Sequence, residues 1–127
     1  MKSKVMKAYT DIEQSKKLTE ILPLESADMY YREWKRMTKD IRIAHVGSAG
    51  EKDLSCWSLA ALLSVLPDEI NDDGDVYRNM YFHLKGKYII QYPKLTTLWP
   101  CLLLTESDNS VDACVDMIIK LNELKML

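Results

Sequence analysis

Glycine is scarce in this chain, with four in 127 residues. Gly47, Gly50, Gly74 and Gly86 cannot be arranged into G-x-G-x-x-G or G-x₄-G-K-[ST], the turns whose backbone N–H groups cradle phosphates. Gly47-Ser-Ala-Gly50, expected just before the second helix, comes nearest, because a helix N-terminus attracts anions. As a flexible strand-to-helix connection it needs no ligand, and nucleotide-dependent catalysis is disfavoured. Cysteine is scarce too: Cys56, Cys101 and Cys114 are odd in number and far apart. That pattern argues against a disulfide framework and for a reducing compartment. Nor is there a long hydrophobic run. The longest apolar stretch, residues 56–66, contains two serines and falls short of the roughly 20 residues a helix needs to cross a bilayer. Positive charge is not in excess either, with 17 Lys and Arg against 19 Asp and Glu. A duplex-binding protein would carry a clear basic surplus.

The basic start, Met1-Lys-Ser-Lys-Val-Met-Lys7, leads straight into Ala8-Tyr-Thr-Asp-Ile-Glu13. It has no apolar run of about seven residues such as a secretory leader requires. The expectation is a cytoplasmic protein with no membrane segment. Apolar residues make up 47% and charged residues 28%, globular proportions that argue against wholesale disorder. This length holds one core.

Three helices can be placed. Thr10-Asp-Ile-Glu13 reads as a capping box, with Thr10 and Glu13 satisfying free backbone N–H groups. Leu18, Ile21 and Leu22 then share a face, and Pro23 ends the helix. Residues 55–66 form a second helix with apolar side chains all round, predicted to be buried on nearly every side, and Pro67 ends it. Asn109-Ser-Val-Asp112 caps the third, whose apolar face is Val111, Cys114, Val115, Ile118 and Leu121. Its early acids and late lysine suit the helix dipole.

Strands fill the gaps. Residues 76–84 and 87–92 flank Lys85-Gly86 as a hairpin that sets Phe82 opposite Ile89 and His83 opposite Tyr88. Residues 40–46 alternate as a strand. Residues 29–36 read as strand as well, although Asp28 with Tyr30, Trp34 and Met37 also fits helical spacing. Residues 95–104 are apolar but contain Pro100, which suits an edge strand or a buried loop. The reading is a single α+β domain over residues 1–127, order α-ββ-α-ββ-α, with an antiparallel sheet packed against helices and residues 1–9 as a flexible lead. Leu18-Thr-Glu-Ile-Leu-Pro-Leu-Glu25 matches Leu62-Leu-Ser-Val-Leu-Pro-Asp-Glu69 at four of eight positions. Chance recurrence of a helix-ending Leu-Pro word is a simpler account than duplication.

Motifs for chemistry are thin. Setting Gly74 at the sixth position of a calcium loop puts Met80 at the twelfth, where the bidentate glutamate belongs. The segment 68–75 is therefore read as a solvated acidic turn. His45 and His83, with a thiol from Cys56, Cys101 or Cys114, offer the only nucleophilic or zinc-binding combinations, but no C-x-x-C or H-x₃-H spacing supports them. No catalytic residue, metal or cofactor is assigned. A small enzyme with a pocket near His83 or the thiols is one alternative reading.

The stretch 30–42 interleaves Tyr30 and Trp34 with Arg32, Lys35, Arg36, Lys39 and Arg42. Aromatic faces stack bases while cations follow phosphates, so single-stranded nucleic acid is a second alternative. A half-buried strand gives the same pattern with no ligand.

Four words carry a resemblance: Asp11-Ile-Glu-Gln-Ser-Lys-Lys-Leu18, Leu22-Pro-Leu-Glu-Ser-Ala-Asp-Met29, Trp57-Ser-Leu-Ala-Ala-Leu-Leu-Ser-Val-Leu-Pro67 and Val111-Asp-Ala-Cys-Val-Asp-Met-Ile-Ile-Lys-Leu121. Together they resemble a family of short proteins of uncharacterised role from gut anaerobic bacteria and their phages or mobile elements. Its relatives carry proline where this chain has Ser110, which suits a first helical position. The resemblance supplies no catalytic residues. It implies a helical frame carrying variable strands, which suits recognition better than chemistry. The leading expectation is thus a non-enzymatic interaction domain that binds a host or phage protein, or itself as a homodimer. Tyr77, Tyr81, Tyr88 and Tyr92 on the hairpin are its candidate anchors.

Overall fold

A computed structural model describes residues 7–36, 39–97 and 99–127, and the side chains of 7–32, 44–97 and 99–127. The fold is α+β. Helix α1 (Ile12–Thr19) leads through a 3₁₀ turn (Leu24–Ser26) into strands β1 (Met29–Arg36), β2 (Lys39–Val46) and β3 (Leu54–Cys56). Helix α2 (Leu59–Val65) follows, then β4 (Glu69–Asp72), β5 (Asp75–Arg78), β6 (Met80–Leu84), β7 (Lys87–Pro93), β8 (Cys101–Ser107) and α3 (Ser110–Glu123). Among the described residues no helix is long and apolar enough to cross a membrane.

The α-ββ-α-ββ-α order omits β3 and β4, and the expected strand 76–84 is divided into β5 and β6. The segment 95–104 supplies the start of β8, an edge strand, so the described residues form eight strands. One antiparallel sheet runs β2-β1-β3, a second β6-β7-β8, and β4 pairs with β5. Residues 29–36 are strand, paired in register with β2 from Met29–Val46 to Arg36–Lys39. The long hairpin is present, with Phe82 across from Ile89 and His83 across from Tyr88. Lys85 (φ 51°) and Gly86 (φ 77°) form its turn, and two successive positive φ values mark the type I′ turn that suits strand twist. Asp73 (φ 50°) and Gly74 (φ 83°) repeat that geometry, so the acidic segment folds as the β4–β5 hairpin.

β5 and β6 are nearly one strand broken at Asn79. Tyr77 still bridges Lys94 beyond β7, and the Leu95 N–H donates to the Val76 carbonyl at 2.8 Å. β4 lies on the other side of β5, where the Asn79 N–H donates to the Asp68 carbonyl at 2.8 Å. β8 is an edge strand that begins just after Pro100.

α3 supplies the centre of the core. All five residues of its expected apolar face are buried, and so are Ala113 and Met117, which widens the stripe. Asn109 caps it as expected, its Oδ1 accepting from the N–H groups of Val111 (2.9 Å) and Asp112 (3.1 Å). α2 differs from expectation. It starts only at Leu59, because Ser55 and Cys56 pair with β1. Only Leu62 of its seven residues is buried, while Ala60 and Ser64 face solvent.

The cap of α1 is displaced by one residue. Asp11 accepts from the Gln14 N–H (2.8 Å), and Gln14 Oε1 accepts from the Asp11 N–H (3.1 Å). Thr10 cannot serve, because its hydroxyl is buried elsewhere. It lies 2.8 Å from the Ser15 hydroxyl and accepts from the Trp57 N–H at 3.1 Å. Losing an N-cap side chain costs about 0.5–2 kcal/mol, whereas exposed positions away from caps stay within about 0.5 kcal/mol. Asp11→Ala should therefore shift the urea midpoint to lower denaturant, and Glu13→Ala should leave it unchanged. The reverse order would restore the cap to Thr10.

Candidate functional site

Cross-strand partners share a face of an antiparallel sheet, so the registers of β6, β7 and β8 assign its two surfaces. Tyr81, Ile90 and Thr105 form one row, and His83, Tyr88 and Ser107 the next. This surface faces α3, and the Thr105 hydroxyl donates to the Ala113 carbonyl at 2.9 Å. The four hairpin tyrosines belong to this inner side or to the core. Tyr92 is fully buried, and its hydroxyl donates to the Pro67 carbonyl at 2.8 Å. Burial pushes the Tyr92 phenol up to about 12. Tyr77 is also buried. Tyr81 and Tyr88 are half-buried and stack at 6.5 Å, and His83 lies 4.4 Å from the Tyr88 ring at an interplanar angle of 12°.

The opposite surface carries the rows Met80–Gln91–Leu104 and Phe82–Ile89–Glu106, then Leu84 beside Lys87. Met80 is 38% exposed, Leu84 53% and Leu104 44%, with Phe82 and Ile89 half-buried between them. These exposed apolar side chains share the face with Gln91, Lys87 and Glu106. Close by, in the β7–β8 connection, Trp99 is 76% exposed. Sequence reasoning missed these residues because Met80-Tyr-Phe-His-Leu84 is apolar or aromatic at both parities. The alternation that distinguishes an inner from an outer face is absent there.

The two edges of this sheet differ. At β8 the Lys120 ammonium donates to the Leu104 carbonyl at 3.2 Å. β6 has β7 on one side, and among the described residues no strand pairs with its other side at residues 80–84.

The basic-aromatic stretch lies on the β1–β2 hairpin. Arg32 stands over the Tyr30 ring at 5.3 Å, and Tyr30 stacks on His45, also at 5.3 Å. Register sets Trp34 across from Ile41, Lys35 across from Asp40, Glu33 across from Arg42 and Arg36 across from Lys39. The side chains of these eight residues lie outside the described ones. Arg32 reaches Asp53 at 3.5 Å. The Gly50 N–H, and after it Arg32, hold the Asp53 carboxyl below its ordinary range. Gly47-Ser-Ala-Gly50 leads into β3 and not into a helix, so no helix N-terminus stands there. The cleft beside it is lined by Glu25, Glu51 and Asp53, which repel phosphate.

Thiol chemistry finds little support in the surroundings of the cysteines. Cys114 is fully buried in α3, which pushes its thiol up to about 12. Burial also raises Cys56, whose Sγ donates to the Thr10 carbonyl at 3.4 Å. Cys101 is half-buried, with its Sγ donating to the Leu103 carbonyl at 3.0 Å. Among the described residues no three His, Cys, Asp or Glu side chains gather as a metal site. The thiolate is the reactive form, so an aromatic disulfide reagent should titrate Cys101 first. Cys56 and Cys114 should react only on unfolding, and Cys101→Ser should remove the early phase. A fast phase that survives in Cys101→Ser would expose a reactive thiol in the core.

Among the described residues, the outer face of the β6–β7–β8 sheet brings Met80, Phe82, Leu84, Ile89 and Leu104 to one side. No protein-family model, curated protein or solved structure matches this chain, so the site rests on its own geometry.

Proposed function

We propose that this protein is a non-enzymatic interaction module of the cytoplasm that binds protein through the outer face of the β6–β7–β8 sheet. The carrying observation is that uncovered face, with Met80, Leu84 and Leu104 exposed around Phe82 and Ile89. An apolar face without a covering helix costs solubility in isolation and gains when a partner covers it. The resemblance to short proteins of phages and mobile elements supports the same reading, since it implies a helical frame carrying variable strands. The test compares the wild type with Leu84→Glu/Leu104→Glu as immobilised baits, together with their oligomeric states in solution. The variant should lose whatever association the wild type shows, while its melting temperature stays level or rises. An association that the two acidic substitutions leave intact would remove the face from the proposal.

A second reading has its own observation, the Arg32–Tyr30–His45 stack on the hairpin that also carries Trp34, Lys35, Arg36, Lys39 and Arg42. Stacked aromatics with alternating cations suit single-stranded nucleic acid. With about three or four phosphate contacts, log affinity should fall with log salt at a slope of about −2 to −3. Trp34→Ala should cost about 1–3 kcal/mol of binding if a base stacks there. A salt-independent signal, or no binding in low salt, would discard this reading.

A further inference from the structure

We infer that the open edge of β6 pairs with β6 of a second copy of this chain, antiparallel about a two-fold axis at Phe82. The inference goes beyond the outer face proposed above and names the occupant of the strand edge beside it. In a hairpin closed by a two-residue turn, the residues flanking the turn exchange backbone bonds, and bonded pairs then alternate along the ladder. Leu84–Lys87, Phe82–Ile89 and Met80–Gln91 are therefore the bonded pairs of β6 and β7. The N–H and C=O groups of Tyr81 and His83 then point away from β7, toward the open edge. Asn79 shows the same direction, since its N–H donates outward to Asp68.

Those two residues select the register. Tyr81 of one copy across from His83 of the other lets each exchange both backbone bonds, and Phe82 meets Phe82 on the axis. A shift of two residues either way leaves one of the two unpaired or sends it to Asn79, whose N–H is already taken. Side-chain classes agree with this choice. Met80-Tyr-Phe-His-Leu84 reads as aliphatic, aromatic, aromatic, aromatic, aliphatic in both directions, and a two-fold interface requires such self-complementarity. Met80 then faces Leu84, both of them exposed in the single chain, and the outer apolar face becomes continuous across two sheets.

Charge agrees as well. β6 carries no Asp, Glu, Lys or Arg, so the pairing sets no two of these side chains against each other along its length. At each end the Lys85–Gly86 turn of one copy arrives beside Asp68 of the other, which occupies the place across from Asn79. Both Lys85 and Asp68 are exposed. The salt bridges among the described residues involve neither of them.

Sedimentation equilibrium over a range of protein concentration tests the pairing, with amide exchange as a second readout. The wild type should form a concentration-dependent dimer in which exchange at Tyr81 and His83 slows as the dimer fills. Asp68→Lys and Lys85→Asp should each weaken association about tenfold or more by setting like charges face to face. Asp tolerates the positive φ at residue 85. The double exchange Asp68→Lys/Lys85→Asp should bring association back toward the wild-type constant. A wild type that stays monomeric at every concentration overturns the inference, as does a dimer with fast exchange at Tyr81 and His83 or one indifferent to the charge reversals. If the monomeric chain still captures another protein through Leu84 and Leu104, the function proposed above stands and only the second copy is lost.

Discussion

A sheet has two faces, and a single helix covers one of them. α3 lies against β7 and β8 with eight buried residues, and the sheet answers with Ile90, Thr105 and the Tyr81–Tyr88–His83 stack. Burying aliphatic side chains of this size yields about 1.5–3 kcal/mol apiece, so this contact dominates the organisation of the C-terminal half. Its consequence is geometric. Once the inner rows are assigned to α3, the period of two along each strand sends Met80, Phe82, Leu84, Ile89 and Leu104 outward. The open face follows from where α3 packs, and every functional argument about the sheet inherits that assignment.

The other half joins the core through Leu18, Leu22, Trp57 and Leu62, and hydroxyl groups tie it in further. The Thr10 carbonyl accepts from the Tyr31 hydroxyl at 2.7 Å, and its own hydroxyl meets Ser15 and the Trp57 N–H. One residue thus links α1, β1 and the start of α2 at a site with no solvent access, where unsatisfied polar groups cost about 1–3 kcal/mol each. Trp57 continues the link, its Nε1 donating to the Ser26 hydroxyl at 2.9 Å. Lys7 adds an outer tie. Its ammonium lies 3.0 Å from Asp11 and 2.7 Å from Asp112, joining the cap of α1 to the first turn of α3.

Much of this was legible in the sequence where one local rule acted alone. Asn109 caps α3, Pro67 directly follows the C-cap of α2, and Lys85-Gly86 turns the hairpin in the expected register. By contrast, α1 ends at Thr19, short of the expected stop at Pro23 and without Ile21 and Leu22. Legibility failed where a local rule met a tertiary demand. Thr10 looks like a cap, but the core claims its hydroxyl, and Asp11 takes over. Ser55 and Cys56 suit a helix, yet β1 needs an edge partner and draws them into β3. The acidic run 68–75 does turn, at Asp73-Gly74, but its charge hides the paired strands β4 and β5 on either side of the turn. Aromatic residues favour interfaces, which makes the tyrosines candidate anchors, but Tyr77 and Tyr92 are buried and the Tyr92 hydroxyl reaches the Pro67 carbonyl inside. Amphipathic rings fit either place, so residue type alone could not separate core from surface.

Edge strands present unpaired backbone groups, and soluble proteins usually blunt them with charge, proline or cover. This chain does so unevenly. β8 carries Glu106, follows Pro100 and receives Lys120 on its Leu104 carbonyl. The sequence of β2 places Lys39, Asp40 and Arg42 on the outer strand of its own sheet. β3 is three residues long and packed beside α1. Against these, residues 80–84 bring no Asp, Glu, Lys, Arg or proline, and β4 covers the strand only as far as Asn79. A general shortage of charged residues cannot explain the gap, because Arg78, Lys85 and Lys87 stand at its borders. Selection for solubility alone would favour a Lys or Glu inside such a strand as readily as beside it, and the strand pairing inferred above would account for their absence from residues 80–84.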